Sequence, residues 1–192
     1  MYTLHPRIEF KRVNPDAQIP NKAHPTDAAY DLCAMEDVTL MPGEWRMIGS
    51  GIAMAIPEGY CGKIYPRSGL GCKGLVLKHD TGVIDSAYRG EIKIPLFNNN
   101  PQFVVVEEYP CAKRRFPRLY AWLCKMCGCE PIRLVPNEEV IHVHKGDRVA
   151  QLCIELVPDT ELVEVDELDE TDRGQGGFGS SGTSSITGGD RL

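Results

Sequence analysis

Glycine and proline interrupt the first hundred residues at intervals too short for ordinary helices. The chain has 19 glycines and 14 prolines among its 192 residues. The segments between them are rich in β-branched and aromatic residues, which favours short strands. The predicted strands cover residues 7–13, 38–41, 52–56, 60–65, 91–97, 140–144 and 149–157. We therefore predict an all-β protein, a sandwich or jelly roll.

Charge and hydropathy exclude several classes of protein. The 21 basic and 27 acidic residues give a net charge of −6, which argues against a general nucleic-acid coat. The longest apolar run, residues 119–124, is too short to cross a bilayer, so no membrane partner is expected. The N-terminal residues lack the apolar region of a secretory signal, which predicts a cytoplasmic protein. Its 8 cysteines are then expected to be thiols or metal ligands.

The composition changes sharply towards the C-terminus. Eight acidic and no basic residues occupy positions 159–172, and a glycine- and serine-rich stretch follows. We predict a core domain over residues 1–158, interrupted by an insertion at about 103–138. Residues 159–192 are predicted to form an acidic connector and a flexible arm.

The arm contains a G-x-G-x-x-G pattern at Gly174, Gly176 and Gly179. A dinucleotide fold would need a βαβ unit around this pattern, and too few residues follow it. Composition alone favours a linker. Arg173 and Phe178, however, bracket the glycines, and a guanidinium with an aromatic ring suits phosphates and a base.

Three further sites, with four candidate residues, each have a functional and a purely structural interpretation. Arg67 and Ser68, followed by Gly69 and Gly71, form either a compact anion site or an exposed turn. Asp85 follows two apolar β-branched residues and is either a general base or the start of an Asx-turn. Gln151 is either a ligand-binding amide or an outward-facing strand residue.

Five segments together resemble the five motifs of the trimeric dUTPase family, in the family's order. They are DAAYDLCA (27–34), PRSGLG (66–71), GVIDSAYRGEI (82–92), GDRVAQL (146–152) and RGQGGFGSSG (173–182). The resemblance implies a jelly-roll-like β-sandwich or distorted barrel that assembles as a homotrimer. It also implies active sites at subunit interfaces, each closed by a C-terminal arm. The expected reaction is hydrolysis of dUTP to dUMP and pyrophosphate, which limits uracil in DNA and supplies dUMP for dTMP synthesis.

The resemblance also implies a role for each matching residue. Asp85 would activate the water that attacks the α-phosphate, and Tyr88 would pack against the deoxyribose and exclude a 2′-hydroxyl. Mg²⁺ would bind the triphosphate, with Asp31 acting through a water. The uracil would be bound mainly through the main chain of His79, Gly82, Val83, Ile84 and Lys93. The phosphates would be bound by Arg67, Ser68, Gly69 and Gln151, and the arm would contribute Arg173, Phe178, Gly179 and Ser180.

The insertion carries features that the family does not require. It contains a predicted helix over residues 117–126 and four cysteines that are either structural Zn²⁺ ligands or spare thiols: Cys111, Cys124, Cys127 and Cys129. Five basic and no acidic residues lie between positions 109 and 126. They form either a solvated helix face or a docking surface for an unknown protein or nucleic acid.

Two other functions are compatible with parts of this pattern. A dCTP deaminase shares the fold, but that family places a glutamate where this chain has Pro95, which disfavours it. A nucleotide-gated interaction protein would bind dUTP and act through the basic, cysteine-rich insertion. Ammonia release from dCTP would indicate the first alternative, whereas the second would keep binding dUTP even if turnover were irrelevant to its role.

Overall fold

The computed structural model describes residues 6–105 and 134–176. The chain divides into two units, Met1–Pro158 and Asp159–Leu192. The first contains all the strands that follow. The second is described over residues 159–176, where it has turns and no regular element.

The regular secondary structure in the described residues of the first unit is almost entirely β-strand. The strands are β1 (Glu9–Arg12), β2 (Ala29–Cys33), β3 (Val38–Leu40), β4 (Trp45–Ala55), β5 (Tyr60–Pro66), β6 (Leu75–Leu77), β7 (Gly82–Ile84), β8 (Glu91–Asn98), β9 (Phe103–Val105), β10 (Leu134–Pro136), β11 (Ile141–Val143) and β12 (Arg148–Leu156). One short helix, α1 (Ser68–Gly71), follows β5. The prediction of an all-β fold is confirmed. No helix in the described ranges is long and apolar enough to cross a membrane.

Two four-stranded antiparallel sheets form the body of the unit. Their strand orders are β1-β4-β8-β6 and β2-β12-β5-β7, and the pairs β10-β9 and β11-β3 lie outside them. Inward-facing residues of both sheets join one buried apolar cluster, in which Ile94, Leu96 and Leu152 are fully buried. Burying an aliphatic side chain of this size contributes about 1.5–3 kcal/mol. This shared core holds the strand ends, and with them the candidate site, in place.

The predicted strands agree best with β5, β8 and β12, whose bounds differ from the prediction by one residue at most at each end. The predicted start of the strand over residues 52–56 is wrong. Strand β4 begins at Trp45 and continues through Gly49 and Gly51. The sequence analysis does not predict strands β2, β6, β7, β9 and β10. All except β2 are only three residues long, and β6 and β7 depend on pairing with strands from other parts of the chain. The predicted helix over residues 117–126 lies outside the described residues.

Asn98 fixes the end of β8 by polar contacts within the core. Its side chain is fully buried, and its Nδ2 donates to the carbonyl oxygens of Leu40 and Glu139, each at 3.0 Å. Its Oδ1 accepts the N–H of Asn100 at 3.1 Å. One side chain therefore joins three segments that are far apart in the sequence.

Candidate active site

Residues of three sequence motifs meet across the second sheet. Gln151 of β12 lies opposite Asp31 of β2 on one side and opposite Tyr65 of β5 on the other. Residues directly opposite one another in antiparallel strands share a face of the sheet. Arg67 follows the end of β5, two residues after Tyr65. The register thus assembles a polar cluster from the segments at 27–34, 66–71 and 146–152.

A buried carboxylate organises this cluster. Asp31 is only 6% exposed, and its two oxygens lie 3.1 Å from Arg67 Nε and 3.2 Å from Arg148 Nη1. Arg67 Nη1 also donates to the Arg148 carbonyl oxygen at 3.1 Å. The Arg67 Nε–H does not point at Oδ1, which accepts no aligned hydrogen bond from the described residues. Two guanidinium groups compensate the burial of one carboxylate.

The turn after β5 presents backbone groups beside this ion pair. The Arg67 carbonyl oxygen accepts the N–H groups of Leu70 and Gly71 at 3.0 and 2.9 Å. The first N–H groups of a helical turn have no intrahelical acceptor, so those of Ser68 and Gly69 are available to a ligand. A Cβ built at Gly69 would have no atom of the described chain within 4 Å. The open space over Gly69 suits the close approach of an anion.

A second cluster surrounds a cavity of about 240 Å³ beside the β7–β8 loop. Its lining includes His79, Gly82, Val83, Ile84, Asp85, Tyr88, Glu91 and Lys93. The set comprises the residues predicted to bind uracil and deoxyribose, the predicted base Asp85 and, in addition, Glu91. Strand β7 is the outer strand of its sheet, so one row of its backbone N–H and C=O groups is not used by a neighbouring strand of the described chain.

Asp85 and Tyr88 occupy the loop that closes this cavity. The Tyr88 N–H donates to the Asp85 carbonyl oxygen at 3.0 Å, and the Tyr88 hydroxyl donates to the Glu91 carbonyl oxygen, also at 3.0 Å. The Tyr88 ring is 45% exposed. The Asp85 carboxylate is exposed and makes no hydrogen bond or ion pair with the described residues. It is therefore free to contact a water or a ligand.

One chain does not bring all the predicted site residues together. The cluster around Arg67 and the cavity beside Asp85 are separate, and Arg173 belongs to the second unit. There its Nε donates to the Gly176 carbonyl oxygen at 2.8 Å, within a turn that begins at Thr171. The remaining predicted residues lie outside the described ranges: Phe178, Gly179, Ser180, Cys111, Cys124, Cys127 and Cys129. The histidines just after the insertion are described: His142 Nδ1 lies 3.1 Å from Thr39 Oγ1, and within the described ranges no group of residues is suited to hold a metal ion.

Sequence reasoning missed Arg148 and Glu91. Both lie inside the recognised motif segments, but only the strand register shows that Arg148 reaches Asp31. For Arg148 the useful signal is a single basic residue at the start of a strand that pairs with the strand carrying the buried Asp31. For Glu91 the signal is an acidic residue at the start of a strand whose interior is mostly buried.

The pKa values of several ionisable groups on the sheet that carries Gln151 and Asp31 are shifted from their ordinary values. Glu155 Oε2 lies 2.6 Å from Lys63 Nζ, and Glu155 Oε1 accepts the Tyr65 hydroxyl at 2.9 Å. The hydrogen bond from Lys63, and then that from Tyr65, lowers the pKa of Glu155. The same contacts to Glu155 raise the pKa of Lys63 and of Tyr65. Burial, followed by the charge of Asp31, raises the pKa of the Cys33 thiol.

Comparisons with known proteins agree with this arrangement. The sequence matches the family model described as dUTPase over residues 15–113 and 129–182. It is 40% identical over 161 residues to the deoxyuridine 5'-triphosphate nucleotidohydrolase of Thermobifida fusca (strain YX), covering 83% of this chain and 70% of that protein. It is 41% identical over 167 residues to the corresponding protein of Nocardia farcinica (strain IFM 10152), covering 86% and 79%.

A solved structure gives the same result for the fold. The Staphylococcus bacteriophage 80alpha dUTPase with dUPNHPP superposes with a TM-score of 0.70 at 31% identity, covering 92% of this chain and 99% of that one. The family match passes over residues 114–128, which fall within the insertion.

Proposed function

This chain belongs to the dUTPase family, and we propose that it hydrolyses dUTP to dUMP and pyrophosphate. The observation that supports this most directly is the cavity beside Asp85. A free carboxylate, an exposed tyrosine ring and an unpaired strand edge line one space of about 240 Å³. These groups offer a base for a water, a surface for a sugar and a backbone edge for a pyrimidine.

Asp85 acts as the general base in this proposal. Its carboxylate has no partner among the described residues, so an attacking water can donate a hydrogen bond to it directly. The carboxylate takes a proton from that water as the oxygen attacks the α-phosphorus, and pyrophosphate leaves. A positioned general base typically contributes about 10²–10⁴-fold to the rate.

Tyr88 and strand β7 select the nucleoside. The Tyr88 ring, tethered through its hydroxyl to Glu91, forms a fixed wall against which a 2′-hydroxyl would collide. The open edge of β7 and the backbone of Lys93 and His79 pair with the uracil as another strand would. Gly82 allows His79 to approach, since a Cβ built at Gly82 would lie 3.0 Å from His79 Cε1.

Asp31 suits an indirect role towards Mg²⁺. Both of its oxygens are next to guanidinium groups, which leaves no room for direct coordination, yet Oδ1 has no aligned donor among the described residues. Oδ1 is itself buried, so in this proposal a water held by the ion reaches it only with a shift of the Arg67 side chain. Contact through a water is how Mg²⁺ commonly meets protein carboxylates. When bound to the triphosphate, Mg²⁺ neutralises charge that develops on the phosphate oxygens.

Arg67, Ser68, Gly69 and Gln151 bind the phosphates in this proposal, and the active enzyme is a homotrimer. Arg67 offers a guanidinium held in place by Asp31, and Gly69 is open to an approaching anion. The arm completes the site, with Arg173 at the γ-phosphate, Phe178 over the uracil, and Gly179 and Ser180 along the phosphate tail. Closing such a segment excludes water, and reopening it releases product.

The insertion is proposed to bind Zn²⁺ through Cys111, Cys124, Cys127 and Cys129 and to dock a protein or nucleic acid. The support is the C-x-x-C spacing and the basic run in the sequence. Metal analysis of the purified protein should find about one zinc per chain. Replacing Cys124 and Cys127 by serine should remove it, and a metal-free wild type would refute the zinc proposal.

A substrate panel tests the proposed reaction. Pyrophosphate release is measured with dUTP, dTTP, dCTP and UTP at equal concentration. We expect rapid release from dUTP and little from the others, because the cavity excludes a 5-methyl group, a cytosine edge and a 2′-hydroxyl. Ammonia release from dCTP, or equal turnover of all four nucleotides, would contradict the proposal.

A further inference from the structure

Glu91 makes a contact that the hydrolytic mechanism does not use. Strand β4 is irregular opposite Glu91: Gly49 pairs with Lys93 and Ala53 pairs with Glu91, so three residues of β4 oppose only Ile92 of β8. Within this bulge Gly51 has φ +69°. The Glu91 side chain accepts the buried Gly51 N–H at 2.8 Å. Glu91 therefore satisfies a backbone donor that the ladder leaves unpaired.

The sequence of β4 leaves room for this contact. A Cβ at Gly49 would collide with Glu91 Oε1, so the carboxylate occupies the space that any other residue would fill. Ser50 anchors the other side of the bulge, because its Oγ donates to the Ile92 carbonyl oxygen at 2.7 Å. The start of β8 is thus attached to the bulge from both sides.

The backbone of the same residue holds Tyr88. The Glu91 carbonyl oxygen accepts the Tyr88 hydroxyl at 3.0 Å. Gly90 permits this fold-back, since a Cβ there would collide with the phenol oxygen. Tyr88, Glu91 and Asp85 all line the cavity beside β7. A continuous set of contacts therefore connects the β4 bulge to the wall of the sugar pocket.

From these contacts we infer that Glu91 is a positioning residue for sugar selection. Its side chain holds the start of β8 against the bulge, and its carbonyl oxygen holds the Tyr88 ring in position at the cavity wall. Loss of the side-chain acceptor leaves the Gly51 N–H unpaired in a buried place, and the backbone around Glu91 shifts to relieve this. The Tyr88 ring moves with it, and the pocket admits a 2′-hydroxyl. This inference rests on the proposed function, because it assigns Tyr88 to the sugar.

The test compares Glu91→Ala with Glu91→Gln. Glutamine keeps an oxygen acceptor for Gly51 and removes only the charge, so it should restore what alanine loses. The readout is the ratio of kcat/KM for dUTP to that for UTP. We expect Glu91→Ala to lower this ratio about tenfold or more, and Glu91→Gln to stay within about twofold of the wild type. Glu58→Ala, which removes an exposed acid from the turn after β4, should leave the ratio unchanged.

A binding measurement separates this inference from the proposed reaction. Calorimetric titration with dUMP and UMP reports sugar selection without turnover. If the wild type binds dUMP far better than UMP but does not hydrolyse dUTP, the proposed reaction is refuted. The titration then still tests whether Glu91 controls the preference for dUMP. An unchanged preference in a folded Glu91→Ala protein would overturn the inference, as would a glutamine variant as impaired as the alanine one.

Tyr88→Phe provides a test that does not depend on the Glu91→Ala protein folding. It removes only the hydroxyl that binds the Glu91 carbonyl oxygen. The inference predicts weaker discrimination between dUMP and UMP, because the ring loses its tether. Full discrimination in Tyr88→Phe would show that the contact with Glu91 does not position the ring.

Discussion

Asp85 and Arg67 lie at opposite ends of strand β5. Ile84, the residue before Asp85, pairs with Gly62 near the start of β5, whereas Arg67 follows Pro66 at its end. At about 3.3 Å per residue the intervening strand spans roughly 15–20 Å. With the roles proposed above, Asp85 and Arg67 of one chain are too far apart to act on the same phosphate. The proposal therefore requires Asp85 from one chain and Arg67 from another in each complete site.

Mixed trimers of two inactive variants should recover activity. In a closed ring of three chains, a site that takes Asp85 from one chain and Arg67 from its neighbour remains intact once in every mixed trimer. Co-expression of Asp85→Asn and Arg67→Ala chains in equal amounts should give roughly a quarter of wild-type turnover. Differently tagged chains allow the mixed species to be isolated and assayed for pyrophosphate. Mixed trimers without activity would show that both groups act within one chain.

Asp85→Asn should separate binding from chemistry. The amide has nearly the shape of the carboxylate but cannot take a proton from water, so we expect turnover to fall about 10²–10⁴-fold. The affinity for a non-hydrolysable dUTP analogue should change little, because the Asp85 side chain makes no hydrogen bond or ion pair with the described residues that would hold the β7–β8 loop. Rapid-quench assays and calorimetric titration measure the two quantities. The exposed Glu58→Gln serves as the control for loss of one charge, and full activity in Asp85→Asn would remove Asp85 from the mechanism.

The sequence predicts which residues belong to the candidate site better than it predicts their contacts. Arg67, Asp85 and Tyr88 stand in motifs that resemble those of the family, and the bounds of β8 differ from the predicted strand by one residue. The Arg148 contact to Asp31 depends on the β12–β2 register, which is set by packing over more than a hundred residues. The contact between Glu91 and Gly51 depends on a bulge in β4. The glycines of that bulge do not favour a strand, so the sequence analysis predicts only the part of β4 that follows them. Long-range register and bulges are tertiary properties that local patterns do not contain.

The contact between Lys63 and Glu155 should give a pH-dependent contribution to stability. Because Lys63 and Tyr65 lower the pKa of Glu155, folding is favoured above the unfolded-state pKa of about 4.3, and the gain is lost as pH falls through the lower folded value. Lys63 has a raised pKa, so its part is complete below about 10.4 and is lost at still higher pH. Both side chains are about a third exposed, at 34% and 37%, so screening keeps the effect small.

Glu155→Gln tests this window. The difference in Tm between wild type and variant should be present at pH 7 and should shrink as pH is lowered below about 4. Thermal melts at several pH values and constant ionic strength provide the measurement. A difference that is the same at pH 3 and pH 7 would show that the charge of Glu155 does not contribute.

Asn98→Ala should destabilise the fold more than any exposed asparagine substitution. It removes the donor that serves the carbonyl oxygens of Leu40 and Glu139, and it leaves a cavity in a fully buried place. Each buried acceptor left unpaired costs about 1–3 kcal/mol, so a total loss of about 2–5 kcal/mol is expected. The neighbouring Asn99 is exposed and contributes only its backbone N–H, to the Gly74 carbonyl oxygen, so Asn99→Ala is the matched control with little change. Urea unfolding of both variants gives the two free energies, and equal values would show that water replaces the Asn98 contacts at no cost.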